Sequence, residues 1–220
     1  GELLTERLKI IVRSMPEWHF YVQPLVGNFI SPGEVLVLAE PPANAPSSVS
    51  LPDGFVRVVR SCFDIGDFRS YEQDVLFGVR QLVDIAIKAI SPAVNDPTTA
   101  INCLNHLGVI TAHQAQAPLQ SKAMQAMPPN LHLKDFSFAM LVNLAFDQIF
   151  QWGRQDPVVT RHLLSVLCDV VLLTRHPDHI EVLKKQVQDM EIDQLHYALE
   201  EQNEQVRERW RAVKKLLNLE

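Results

Sequence analysis

Arg69, Gln73, Asp74, Asp84, Asn95, Asp96 and Thr99 stand within one stretch, Gly66 to Leu107, that is otherwise apolar and reads as two helices joined by a short turn. Polar groups buried without partners are costly, so such a set is expected to form a satisfied network or to line a pocket. One reading makes Arg69 and Asp74 partners beneath the Asn95-Asp96-Pro97 turn, and the other leaves them on a solvated face with ion pairs. Asp74, Asp84 and Asp96 would supply acid–base groups or metal ligands if they converged in a cleft with shifted pKa values. A competing reading puts Gln73, Arg80, Asp84 and Lys88 on one solvated helix face, where ion pairs contribute little.

Asn95-Asp96-Pro97-Thr98-Thr99 is the sharpest local signal. The Asp96 side chain can accept amide hydrogens of a first helical turn, and Pro97 at the first helical position loses no needed donor. Asp156-Pro157 repeats the device. A helix N-terminus also favours anions, so Asn95, Thr98 and Thr99 offer places for a ligand group.

Other chemistry lacks its signatures. The chain contains eight histidines. His106 and His113 can share a face, and His176 and His179 flank Pro177-Asp178, but no H-E-x-x-H or comparable ligand pattern occurs, and no metal is expected. There is no G-x-S-x-G and no Gly-rich phosphate loop, and no cofactor is expected. Cys62, Cys103 and Cys168 form no C-x-x-C pair. They read as small buried hydrophobes in a reducing compartment.

The elements that would position these residues fall into two regions. Glu2–Arg13 reads as a short helix, with Leu4, Leu8 and Ile11 at helical spacing. Trp18–Val22, Val35–Ala39 and Phe55–Cys62 read as short strands. Gly27-Asn28 and Pro32-Gly33 mark turns, and Pro41–Pro52 reads as a surface loop. The pattern formed by Gly27, Ile30, Pro32, Gly33 and Leu36 resembles turns of biotinyl and lipoyl barrel-sandwich folds, without a lysine for a prosthetic group. Beyond Ser70 the pattern is helical. Tyr71–Ile90 carries Leu76, Val79, Val83, Ile87 and Ile90 on one stripe and ends at Ser91-Pro92. A tight connection leads to a second helix from Pro97 to about Gly108 or a little beyond. Gln114–His132 reads as an exposed, polar connection. Further helices are expected over Asp135–Trp152, from Asp156 through Leu173, from Asp178 with Glu181 as a capping pair, and over Gln194–Leu219. The expected fold class is α+β, with a small β-rich, barrel-like module over residues 1–68 and a mainly α-helical domain over residues 69–220.

With 220 residues, of which 47% are hydrophobic and 21% charged, the chain can bury a substantial core. A net charge of −6 and a pI of about 5.7 give no electrostatic footprint for nucleic acid, which is not an expected partner. No run of about 18 apolar residues is long enough to span a bilayer. The longest candidate, Val158–Thr174, is broken by Arg161, His162 and Asp169.

Arg69, Gln73-Asp74, Phe77-Gly78, Leu82, Asp84-Ile85-Ala86, Ser91-Pro92-Ala93, Asn95-Asp96-Pro97 and Thr99-Ala100 together resemble the signature of domain-of-unknown-function family 2254, a family of predicted bacterial membrane proteins. Lys88 stands where an arginine is expected. The resemblance implies a soluble portion of an inner-membrane protein, joined to the membrane through segments outside this chain, and the free cysteines suggest that this portion faces the cytoplasm. The leading expectation is a sensory, ligand-binding or assembly domain without enzymatic activity, able to form a homo-oligomer. The alternatives are a carboxylate-based or metal-dependent enzyme, and an oligomerisation domain of a channel or transporter.

Overall fold

The computed structural model describes residues 2–46, 48–67, 69, 74–117, 126–196 and 204–219. The elements are α1 (Glu2–Arg13), β1 (His19–Val22), β2 (Val37–Glu40), α2 (Phe55–Arg60), α3 (Val75–Ala89), α4 (Pro97–Gln116), β3 (Leu131–His132), α5 (Phe138–Gly153), α6 (Pro157–Leu173), α7 (Pro177–His196) and α8 (Glu204–Leu217). The chain divides by packing into two compact units, residues 1–75 with 118–135 and residues 76–117 with 136–220. The division expected at residue 68 follows chain order. This one follows packing and returns residues 118–135 to the first unit.

In the first unit, β1 is the centre of a three-stranded sheet in the order β2-β1-β3. It pairs antiparallel with β2, His19 opposite Glu40, and parallel with β3, Tyr21 opposite His132. Phe20 and Val22 point to the buried side, where they meet Leu8 and Val12 of α1, Val59, Cys62 and Leu131. Leu8 and Val12 are one helical turn apart, which is what brings both into that core. The sheet is not closed into a barrel. One reason is that Phe55–Arg60, expected as a strand, is helical. Phe55, Val59 and Cys62 follow at i, i+4 and i+7 and carry the packed side, while Val56 and Val58 are exposed. Burial therefore follows the helical period, and the partial alternation of the sequence has no buried face to serve.

The stretch expected to be an exposed connection also departs from its reading. Gln114–Gln116 complete α4. Asn130 is buried, and its Nδ2 lies 3.3, 3.0 and 2.9 Å from the carbonyl oxygens of Val12, Met15 and Trp18. The Val12 and Met15 carbonyls also accept the backbone N–H groups of Met15 and Trp18, so this remote side chain adds a further donor to the turns that follow α1. The backbone carbonyl of Asn130 accepts from Phe20 N–H at 2.9 Å, extending the β1–β3 pairing.

The second unit is helical. Its core runs through Val79 and Val83 of α3, Leu104 and Leu107 of α4, Leu141 and Phe146 of α5, Leu163 and Leu167 of α6, Leu183 of α7 and Trp210 of α8. Pairs α4–α6, α6–α8 and α5–α7 pack most extensively. At Gly108 a Cβ would stand 2.5 Å from Val166 Cγ1, so glycine permits the close approach of α4 to α6. The caps are side-chain oxygens: Asp96 for α4, Ser137 for α5 and Asp156 for α6. Asp178 lies inside the first turn of α7, which begins at Pro177, so it is not the cap the sequence suggested; its charge still favours that helix end. Between α3 and α4 the chain turns tightly, with Asp96 N–H donating to Ala89 carbonyl at 2.8 Å and Asn95 at a φ of 49°.

Candidate functional site

Arg69 and Asp74 are brought together in the first unit. The guanidinium reaches one carboxylate oxygen, Asp74 Oδ2, through Nη2 at 2.6 Å and Nε at 2.7 Å. The Asp74 side chain is 4% exposed and that of Arg69 40%. Gly27 lies against the pair at a φ of +82°, and a Cβ there would stand 1.8 Å from Asp74 Oδ2 and 2.9 Å from Arg69 Nε. The turn glycine is thus required twice, for its left-handed backbone and for the space the ion pair occupies. Gln73 lies outside the described residues.

Asp84, Asn95, Asp96 and Thr99 belong to the second unit. Asp84 pairs with Arg80 Nε at 3.0 Å on an exposed face, four residues apart on α3. The same arginine donates from Nη1 to Gln148 Oε1 of α5 at 2.7 Å. Asp96 binds Thr99 twice, accepting from its hydroxyl at 2.5 Å and from its backbone N–H at 3.1 Å. These hydrogen bonds, the hydroxyl's first, hold the Asp96 carboxyl below its ordinary range. Asn95 is exposed in the turn. Asp84 and Asp96 are thus engaged in an ion pair and a helix cap.

The histidines singled out by sequence have structural surroundings. His179 is buried, stacks on Phe138 with ring centroids 4.2 Å apart, and is pushed down in pKa by burial. His176 meets it edge-on. His106 and His113 are exposed on α4. All three cysteines are free and buried, and burial raises their thiols. They have the packed, unreactive character expected of core cysteines.

Sequence reasoning missed a concavity of the first unit. A cleft of about 670 Å³ opens between residues 30–37 and α2. Phe20, Leu36, Leu51, Phe55, Val59 and Phe63 form its apolar walls, and Arg60 and Glu34 are its charged members. The Glu34 carboxylate is engaged by Ser31 N–H at 2.9 Å. Among the described residues the Arg60 side chain has no hydrogen bond or ion pair, which leaves one cation available at the cleft. The available signal was the run Phe29-Ile30 to Val37, more apolar than a surface turn needs.

Among the described residues no helix is long and apolar enough to cross a membrane. The chain is similar to Uncharacterized protein Rv1290c of Mycobacterium tuberculosis and to Uncharacterized protein Mb1321c of Mycobacterium bovis, 34% identical to each over 149 residues. The matched region is 66% of this chain and 28% of each of those proteins, so the chain spans under a third of the curated relatives it matches. No solved structure matches it. The model of the family described as predicted membrane protein DUF2254 matches residues 12–169, which include the Arg69–Asp74 pair, the Asn95–Thr99 turn and the cleft. The chain therefore belongs to the DUF2254 family of predicted membrane proteins.

Proposed function

We propose that this chain is a ligand-binding domain, sensory in role, of a bacterial integral membrane protein, and that it takes an amphiphile with an apolar body and an anionic head. The observation that carries this reading is the apolar cleft with Arg60 at its edge. Its volume falls in the range of small-molecule sites, and a largely apolar lining with few polar groups is the usual composition of one. Arg60 supplies a fork of donors suited to a carboxylate or phosphate. Membrane attachment comes through segments outside this chain, as family membership supports. The free cysteines favour a position on the reducing, cytoplasmic side of an inner membrane. Arg69, Asp74 and Gly27 brace the turn that leads into the cleft-lining segment, a positioning role. The carboxylate-enzyme reading draws less support, because Asp74, Asp84 and Asp96 already have partners.

Calorimetric titration of this chain with a medium-chain alkyl carboxylate, and with the alkanol of equal length, tests the proposal. Saturable binding is expected for both, tighter for the carboxylate. Arg60→Gln removes the preference between them. Val35→Asp and Val56→Asp place a charge in the cleft at exposed positions. Each is expected to weaken binding at least tenfold with the melting temperature unchanged. No saturable binding, or variants that bind as the parent does, overturns the reading.

A further inference from the structure

We propose that His19 and His132 form a chelating site for a borderline divalent transition cation, Zn²⁺ or Cu²⁺ in class, on the open face of the three-stranded sheet. The register makes the site. His132 is paired with Tyr21 across β1 and β3, and His19, two residues before Tyr21, shares its face. The two imidazoles meet with His19 Nδ1 and His132 Nε2 3.1 Å apart. Two metal–imidazole bonds of about 2.0–2.1 Å, meeting at a tetrahedral or square angle, hold their nitrogens roughly 2.9–3.4 Å apart. The separation of the two nitrogens therefore matches the edge of a coordination polyhedron, and because the rings lie 16° from parallel with centroids 5.4 Å apart and the nitrogens face each other, the rings must turn for both to meet one metal. Imidazole nitrogens suit zinc, copper and nickel.

The surroundings preorganise one ligand and leave the other adjustable. The Tyr21 ring stacks on His132, centroids 4.4 Å apart and planes 13° from parallel. The Tyr21 hydroxyl is itself held, donating to Glu40 Oε2 at 3.1 Å. His19 is exposed, which leaves its ring room to turn toward a metal lying off the line between the nitrogens. Glu40 stands directly opposite His19 across β1 and β2, so its carboxylate can balance the cation's charge. Among the described residues no three histidine, cysteine or acidic side chains already surround one point. The structure therefore provides two ligands, and water or a reoriented Glu40 completes the shell. Without metal, one ring donates its N–H to the other. On binding, that proton moves to the donor ring's outer nitrogen, so both facing nitrogens present lone pairs and the neutral pair releases no proton.

The test is calorimetric titration of this chain with Zn²⁺ alone at neutral pH, with each variant's melting temperature recorded without metal. One high-affinity Zn²⁺ per chain is expected. His19→Ala and His132→Ala should each weaken it more than tenfold, and the double variant should weaken it further than either single one. His106→Ala and His113→Ala should leave it unchanged. With Cu²⁺, electron paramagnetic resonance should show two nitrogen ligands in the parent and one in each single variant. If His132→Ala fails to fold, the exposed His19→Ala decides alone. Unaltered affinity in His19→Ala, or equal small losses across all four histidines, overturns the site and leaves only a hydrogen-bonded pair.

Discussion

Asp74 is the buried member of its ion pair and Arg69 the half-exposed one, and that asymmetry predicts unequal losses. Arg69→Met takes the guanidinium from a buried carboxylate, where breaking a pair costs up to about 3–5 kcal/mol. Asp74→Asn leaves an arginine that water reaches, and should cost about 1 kcal/mol. Chemical denaturation of the two single variants and the double should show this order and strong non-additivity. Equal, additive losses would mean the pair contributes little. Gly27→Ala meets the same pair from the other side. A left-handed backbone costs a non-glycine residue about 1–3 kcal/mol, and the new methyl also displaces Asp74 from Arg69. Combining Gly27→Ala with Asp74→Ala, which opens space for the methyl, should recover part of the loss. A pairing of Arg69 with Asp74 was one of two readings the sequence allowed, and the ion pair is formed. That a glycine more than forty residues away shapes their space was not, because nothing local to Gly27 records what packs over it.

At the level of elements, the proline-marked caps behave as read. Asp156 accepts from Val158 and Val159 N–H at 2.8 and 3.2 Å, and Asp156→Ala should cost about 1 kcal/mol. Asp96 adds a pH signature. Its carboxyl is depressed, so the stability it contributes is fully present above the ordinary aspartate range and is lost as pH falls through the lower folded value. Melts of Asp96→Ala and the parent should differ at neutral pH and converge in strong acid. An equal gap at every pH would show that ionisation of Asp96 contributes nothing. Gly108→Ala overpacks the α4–α6 crossing and should cost about 1–3 kcal/mol, with relief when Val166→Ala is added. The stretch Phe55–Cys62 shows the limit of element reading. Its apolar residues fit two periods, and the packed side at Phe55, Val59 and Cys62 selects the helical one.

At the scale of the whole molecule, residues 126–135 pack with the first unit, tied there by Asn130 and by the pairing of β3 with β1. Asn130→Ala removes the amide donor from the turns that follow α1 and should cost about 1–3 kcal/mol. Hydrogen exchange should rise in α1 and β1 while amides of α5 and α6 keep their protection. Uniform loss of protection would mean that the two units unfold as one. The sequence by itself determined that the second unit is helical, where α4 and α6 begin, the Asp96 and Asp156 caps, the turns at Gly27 and Gly33, and membership of the family, but not that α4 continues to Gln116. Each of these rests on residues a few positions apart or on one continuous signature. Tertiary structure alone decided that three strands form an open sheet, that β3 joins β1 from more than a hundred residues away, and that residues 30–37 and α2 enclose a cleft. It also decided that His19 meets His132. These outcomes depend on which distant surfaces exclude water together, and a chain read locally carries no record of its partners across space.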